Sequence, residues 1–70
     1  MNTFDFFIAE GMTHSEATNF TNQVLEELRE MKNAGCFKTI EEYTKWGIER
    51  AYELADQWLS DYLIAKYNVK

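Results

Sequence analysis

Apolar residues recur at spacings of three and four between residues 14 and 34, and polar residues occupy the other side of the same stretch. The apolar positions are Ala17, Phe20, Val24, Leu28 and Met31, with Leu25 on one flank. The opposite positions are Asn19, Asn22, Glu26, Arg29, Glu30 and Asn33. This one-sided pattern predicts a helix over about residues 14–34 that packs on a core through one face.

A longer helical pattern follows over about residues 39–67, and it contains three small residues spaced four apart, Gly47, Ala51 and Ala55. Residues four apart stack on one face of a helix, so this ladder predicts a site where a neighbouring helix approaches closely. A glycine inside a helix costs roughly 1 kcal/mol relative to alanine, and a helix break at Gly47 is the alternative. We favour close packing because the two alanines continue the spacing. The larger residues expected on the same side are Ile40, Leu54, Trp58 and Tyr62.

The N-terminal segment, about residues 3–10, is only two turns long and would not be stable as an isolated helix. We expect it to dock through Phe4, Phe7 and Ile8, which share one side, while Phe6 points elsewhere. A strand is the alternative, because the run is short and rich in aromatic residues. Helix is favoured, since no other segment looks able to pair with a single strand.

Two glycines divide the chain in the same way. Gly11 and Gly35 are each followed by an apolar residue and then by a Thr-x-x-Glu sequence, at residues 13–16 and 39–42. Glycine can adopt the left-handed conformation that ends a helix, and Thr-x-x-Glu forms a capping box that begins one. Short connections favour antiparallel neighbours. The sequence therefore predicts one all-α domain over residues 1–70, with three helices of which the second and third are antiparallel.

Charge and length exclude several classes of protein. The 70 residues include twelve acids and seven scattered bases, for a net charge of −5. Nucleic acid and anionic membranes both require a basic surface, so neither is an expected partner. No apolar run approaches the ~20 residues that span a bilayer, and the N-terminus lacks the basic region of a signal peptide. We therefore expect a cytoplasmic protein.

The chain offers little reactive chemistry. Cys36 is the only cysteine and His14 the only histidine, so neither an internal disulfide nor a tetrahedral zinc site can form from them alone. Both fall in inter-helix turns that one helix separates, which argues against a catalytic dyad. The Glu-x-x-His pairs of carboxylate-bridged metal sites are also absent from the sequence. We expect no catalytic residue, no metal and no cofactor.

An acidic line runs along the side of the third helix opposite the small-residue ladder. It comprises Glu42, Glu49, Glu53 and Asp56, with Trp46 and Ile64 beside it. The simpler interpretation is a solvated face, since Lys45 and Arg50 are close enough to form ordinary helix pairs such as Glu41 with Lys45. The alternative is a surface for a basic protein partner, in which Trp46 provides an aromatic anchor.

The C-terminal end of the third helix, residues 58–67, is apolar on nearly all sides. Packing on one side cannot cover such a helix. The third helix is also several turns longer than the second, so its end should extend past the bundle. Either the first helix folds back over this end or another chain covers it, and Tyr62, Ile64 and Tyr67 are the candidate contacts.

The function that these patterns favour is non-enzymatic protein binding, in which a small acidic domain occupies a basic surface of its partner. Short, acidic, aromatic-rich chains of this general character are common among phage-encoded inhibitors of host nucleases, polymerases and defence systems, including anti-CRISPR proteins and DNA mimics. The likeness is one of character and not of motif. A structural or regulatory homodimer built on the C-terminal helix is the alternative. A helix-turn-helix DNA binder is less favoured, because the start of the third helix, residues 39–42, is acidic.

Overall fold

The computed structural model describes residues 2–67, which form three helices. Helix α1 spans Thr3–Glu10, α2 spans His14–Asn33 and α3 spans Ile40–Tyr67. These residues contain no strand, so the all-α prediction is confirmed and the N-terminal segment is helical. The second helix was predicted to end at residue 34 and ends one residue earlier. The third was predicted to begin at residue 39 and begins one residue later.

Side-chain caps begin each helix. At α2 the predicted capping box is complete: the Thr13 hydroxyl oxygen accepts from the Glu16 backbone N–H at 3.1 Å, and the Thr13 N–H donates to the Glu16 carboxylate at 2.9 Å. At α3 the Thr39 hydroxyl accepts from the Glu42 N–H, but the Glu42 carboxylate accepts from the N–H of Lys38. The expected box at α3 is therefore only half formed, because the carboxylate reaches one residue too far back.

The two glycines end α1 and α2 as predicted. Gly11 has φ of 110° and Gly35 has φ of 78°, both in the left-handed region that glycine adopts without a steric cost. The N–H of the residue after each glycine donates to the carbonyl five residues earlier. The Met12 N–H donates to the Phe7 carbonyl at 3.2 Å, and the Cys36 N–H donates to the Met31 carbonyl at 2.9 Å. This hydrogen bond is typical of the Schellman motif, which satisfies carbonyls that a helix end leaves free.

Helices α2 and α3 are antiparallel neighbours. The Glu16 side chain near the start of α2 contacts Trp58 far along α3, and Glu27 further along α2 contacts Arg50 earlier in α3. Helix α1 lies against both and follows α3 in the same direction. Its beginning adjoins residues 48–52 of α3, and the turn that follows it, at Gly11, adjoins Trp58.

The core lies where the three helices meet. Its buried residues are Phe7, Met12, Ala17, Val24, Leu28, Ala51, Leu54 and Ala55. The docking face expected for α1 was partly wrong, because Ile8 is 40 % exposed. Phe6 instead packs in a T-shaped contact on Tyr52 of α3, with ring centroids 4.8 Å apart. Since α1 sits between two helices, it uses two of its sides and not one.

Helix α3 runs without a break through Gly47. A methyl group built at Gly47 would lie 3.3 Å from Leu28 Cδ1, so the glycine allows the Leu28 side chain to press against the α3 backbone. Ala51 and Ala55, at 5 % and 2 % exposure, continue the packed face. Ile40 does not belong to it as expected: it is 80 % exposed, because it is the first residue of α3 and lies beyond the core.

The last nine residues of α3 extend past the other two helices. We call residues 59–67 the overhang; all of them are exposed. Helix α1 reaches only the level of Trp58 and does not fold back over the overhang. The structure is accordingly elongated, with principal extents of 49 × 20 × 16 Å.

Candidate protein-binding site

The acidic line is partly occupied by contacts within the chain. The Glu42 carboxylate caps the start of α3, and the Glu53 carboxylate accepts from Arg50 Nη1 at 3.2 Å. Glu49 and Asp56 remain exposed. The four carboxylates therefore share one side of α3 but do not act as one unpaired charge cluster.

Arg50 connects α3 to α2. Its Nε donates to Glu27 Oε1 at 2.7 Å and its Nη2 to Glu27 Oε2 at 3.2 Å, a two-pronged geometry that favours arginine over lysine. The Arg50 hydrogen bonds lower the pKa of Glu27, and the Glu27 carboxylate in turn raises the pKa of Arg50.

The two ion pairs found within residues 2–67 both involve Arg50, and the expected pair of Glu41 with Lys45 is not one of them. Sequence reasoning missed the pair of Arg50 with Glu27 because it considered only neighbours on the same helix. The antiparallel arrangement of α2 and α3 was predicted. Listing which residues of the two helices lie at the same level in that arrangement could have revealed the pair of Arg50 with Glu27.

Trp46 is not the exposed anchor that the sequence suggested. It is half-buried and packs against the core, with its ring 6.3 Å from the Phe37 ring in a T-shaped contact. Phe37 lies in the α2–α3 connection and also contacts Tyr43. The indole therefore closes the end of the bundle near that connection, and its remaining exposed surface lines a shallow depression beside Glu42 and Glu49.

Trp58 closes the other end of the bundle. Its indole N–H donates to the Glu16 carboxylate at 2.9 Å, and its ring lies 3.7 Å from the position of a methyl group built on Gly11. Hydrogen bonds from the Thr13 backbone N–H and then from Trp58 lower the pKa of Glu16. Tyr62 stacks on Trp58 at 5.7 Å, which links the bundle to the overhang.

The overhang carries a concentration of exposed apolar side chains. These are Leu59, Tyr62, Leu63, Ile64 and Tyr67, each between 40 % and 74 % exposed. They lie on different sides of the helix, as the sequence predicted, so the overhang does not have the broad polar face of an ordinary surface helix. Lys66 places its ammonium 5.9 Å from the Tyr62 ring and 5.6 Å from the Tyr67 ring.

His14 and Cys36 lie at opposite ends of α2. A 20-residue helix is about 30 Å long, which is far beyond hydrogen-bond reach and excludes a dyad between them. His14 makes a T-shaped contact with Phe4, and Cys36 is an exposed free thiol. Residues 2–67 contain no group of three or more histidine, cysteine or acidic side chains that could hold a metal ion.

The fold defines the chain as a small all-α domain with an extended third helix. It matches no protein-family model, no curated protein and no solved structure. Within the described residues, none of the three helices combines the length and the apolar character that crossing a membrane requires.

Proposed function

We propose that the protein is a non-enzymatic protein-binding module and that the overhang, residues 59–67, is its main contact surface. The observation that carries this proposal is the exposure of five large apolar side chains on nine consecutive residues, beyond the end of the core. Exposed apolar surface gains free energy when a partner removes it from water, at roughly 25 cal/mol per Å². Tyrosine is among the residues that most often dominate such interfaces.

The charge around the overhang favours a partner with a basic surface. Glu53 and Asp56 lie just before it on α3, Asp61 lies within it, and all three are exposed. Inhibition of a nucleic-acid-binding host protein, in the manner of phage-encoded anti-CRISPR proteins or DNA mimics, is one use of such a module, because the partner's basic surface would be occupied. Trp46 is not part of the proposed surface, because its ring is half-buried against the core at the other end of the bundle.

A photo-crosslinking experiment tests the overhang directly. A benzophenone amino acid is introduced at Ile64, which is 54 % exposed, and the protein is irradiated in a lysate of the source cells. We expect a discrete covalent adduct that an excess of unlabelled protein suppresses. Placing the same group at Asn22, on the outer face of α2, provides the matched control and should give no such adduct.

Two results would contradict the proposal. One is the absence of any adduct at Ile64, to this chain or to another protein. The other is an equal set of adducts from Ile64 and Asn22, because that pattern reports random collision and not a binding surface.

A further inference from the structure

A second exposed apolar surface lies at the other end of the molecule. Helix α1 covers only part of the crevice between α2 and α3, and the crevice continues past the start of α1. The part of the crevice next to the start of α1 has a volume of about 300 Å³. Three further depressions share lining residues with that part and lie beside it. We call this surface the open groove; its main lining residues are Leu25, Leu28, Tyr43, Thr44, Gly47 and Ile48.

The open groove is about as long as a short helix. Its inner end is marked by Asn2 and Thr3, where α1 begins, so the same crevice already holds one helix a few residues further along. Past that point residues 40–47 of α3, about 12 Å of helix, remain open only on the side that carries Ile40 and Thr44. The overhang spans nine residues, or about 13 Å. Leu25 and Ile48 are 45 % and 54 % exposed and would meet an apolar occupant.

Charge distinguishes the two ends of the molecule. Residues 29–47, which surround the open groove, contain four bases and three acids, whereas residues 2–28 and 48–67 contain nine acids and two bases. Lys32 and Lys38 line the mouth of the groove, and Lys45 and Glu41 line its α3 rim. At the overhang end Asp61 is accompanied by Lys66, and the acidic excess comes from Glu53 and Asp56 just before the overhang, which makes this end complementary to the groove end.

We infer that the open groove binds the overhang of a second copy of this chain. This inference rests on the proposed function, and it identifies the basic partner surface with the groove end of another copy. The two surfaces lie at opposite ends of a molecule 49 Å long, so one chain cannot satisfy both by itself. Their lengths match, both are apolar and their surroundings carry opposite net charge.

The contact is head to tail and not two-fold symmetric. A helix seated in the open groove lies end to end with α1. If two copies exchanged overhangs reciprocally, α1 of each copy would fall on the path of the other copy's α3, and the two would collide. Each chain therefore gives its overhang to one neighbour and its groove to another, which produces rings or open chains. Nine residues fall short of the roughly 20–30 per side of a standard interface, so association is weak and concentration-dependent.

Mixing two blocked variants tests this arrangement. Ile48→Arg blocks the groove, because Ile48 lines three of its depressions, and the double variant Leu63→Arg/Ile64→Arg blocks the overhang. All three positions are exposed by 40 % or more, so circular dichroism should show wild-type melting for both variants. Asn22→Arg, on the outer face of α2, is the control and should associate as wild type does.

Masses are measured by light scattering from micromolar to millimolar concentration. We expect the wild-type mass to rise with concentration past twice the chain's 8.3 kDa, and each blocked variant to remain at the mass of one chain. An equimolar mixture of the two variants should form a complex of two chains and no larger species, since one intact groove and one intact overhang remain.

Three outcomes would overturn the inference: a wild-type mass of one chain at every concentration, association that Ile48→Arg leaves intact, or a mixture that does not associate. None of these affects the proposed function, because an adduct from Ile64 to a different protein would still identify the overhang as a binding surface.

Discussion

The two parts of α3 differ in how much of their apolar surface the rest of the fold covers. Over residues 40–58 the side chains toward α1 and α2 include small residues at the closest contacts, and the opposite side carries the acidic line. Over residues 59–67 the other two helices have ended, yet large apolar residues continue on several sides. Substitutions at the buried positions of the first part should therefore reduce stability, whereas substitutions in the second should reduce association and leave stability unchanged.

The largest effect is expected where α1 anchors the bundle. Phe7 is fully buried, and Phe7→Ala should destabilise the fold by about 3–5 kcal/mol. A 70-residue domain has only about 4–10 kcal/mol in total, so much of the protein should lose its cooperative thermal transition by circular dichroism. Ile8→Ala, at the adjacent exposed position, is the control and should melt within a few degrees of wild type. Equal melting of Phe7→Ala and wild type would show that α1 is not part of the core.

A matched pair of alanines on α3 compares the two parts of the helix directly. Ala51→Leu adds volume where α3 packs on its neighbours and should cost ~1–3 kcal/mol. Each kcal/mol lowers the melting temperature by about 4–8 °C in a domain of this size. Ala65→Leu makes the same change in the overhang and should leave the melting temperature unchanged, because Ala65 is exposed. If both variants melted alike, the residues before and after residue 58 would not differ in their contribution to the stability of the fold.

A smaller effect is expected for the pair of Glu27 with Arg50. The two side chains are 30 % and 28 % exposed, so a double-mutant cycle with Glu27→Gln and Arg50→Met should give a coupling of about 0.5–1 kcal/mol. Urea unfolding of the four proteins measures it. The cycle of Glu53→Gln with Arg50→Met should give less, since the Glu53 side chain is 68 % exposed. The reverse ranking would mean that Arg50 stabilises α3 alone and does not join the two helices.

The smallest expected effect is the titration of Glu16, which accepts a hydrogen bond from Trp58 at the boundary between the two parts of α3. The pKa of Glu16 is lowered in the folded protein, so the hydrogen bonds to its carboxylate contribute stability above the ordinary value of 4.5 and lose it as the pH falls through the lowered pKa. The Trp58 indole N–H resonance should therefore shift in acid with a midpoint below 4.5. Glu16→Gln should abolish that transition. A midpoint at or above 4.5 in the wild type would mean that the bond is not maintained in solution.

Sequence patterns predicted the helices well because local signals decide them. The two glycine stops, the cap at Thr13 and the periodic apolar face of α2 act within a few residues, and all of them appear in the structure. The close packing expected at Gly47 is likewise present, since Leu28 fills the space that its missing side chain leaves.

The surfaces were harder to predict because exposure depends on how the helices are placed. Ile40 repeats the spacing of the packed face but lies beyond the core, and Trp46 repeats the spacing of the acidic line but turns inward against Phe37. The open groove had no sequence signal at all. It exists because α1 is shorter than α2 by twelve residues, which becomes visible only when the helices are set side by side.

The continuity of α3 has a consequence for the energetics of recognition. Starting a helix is the unfavourable step, whereas each added residue then costs little. The packed residues of α3 supply that nucleus, so the overhang extends an existing helix and does not have to begin one. A detached peptide of the same nine residues would be largely unfolded in water and would lose that freedom on binding. The bundle therefore preorganises the overhang as a helix.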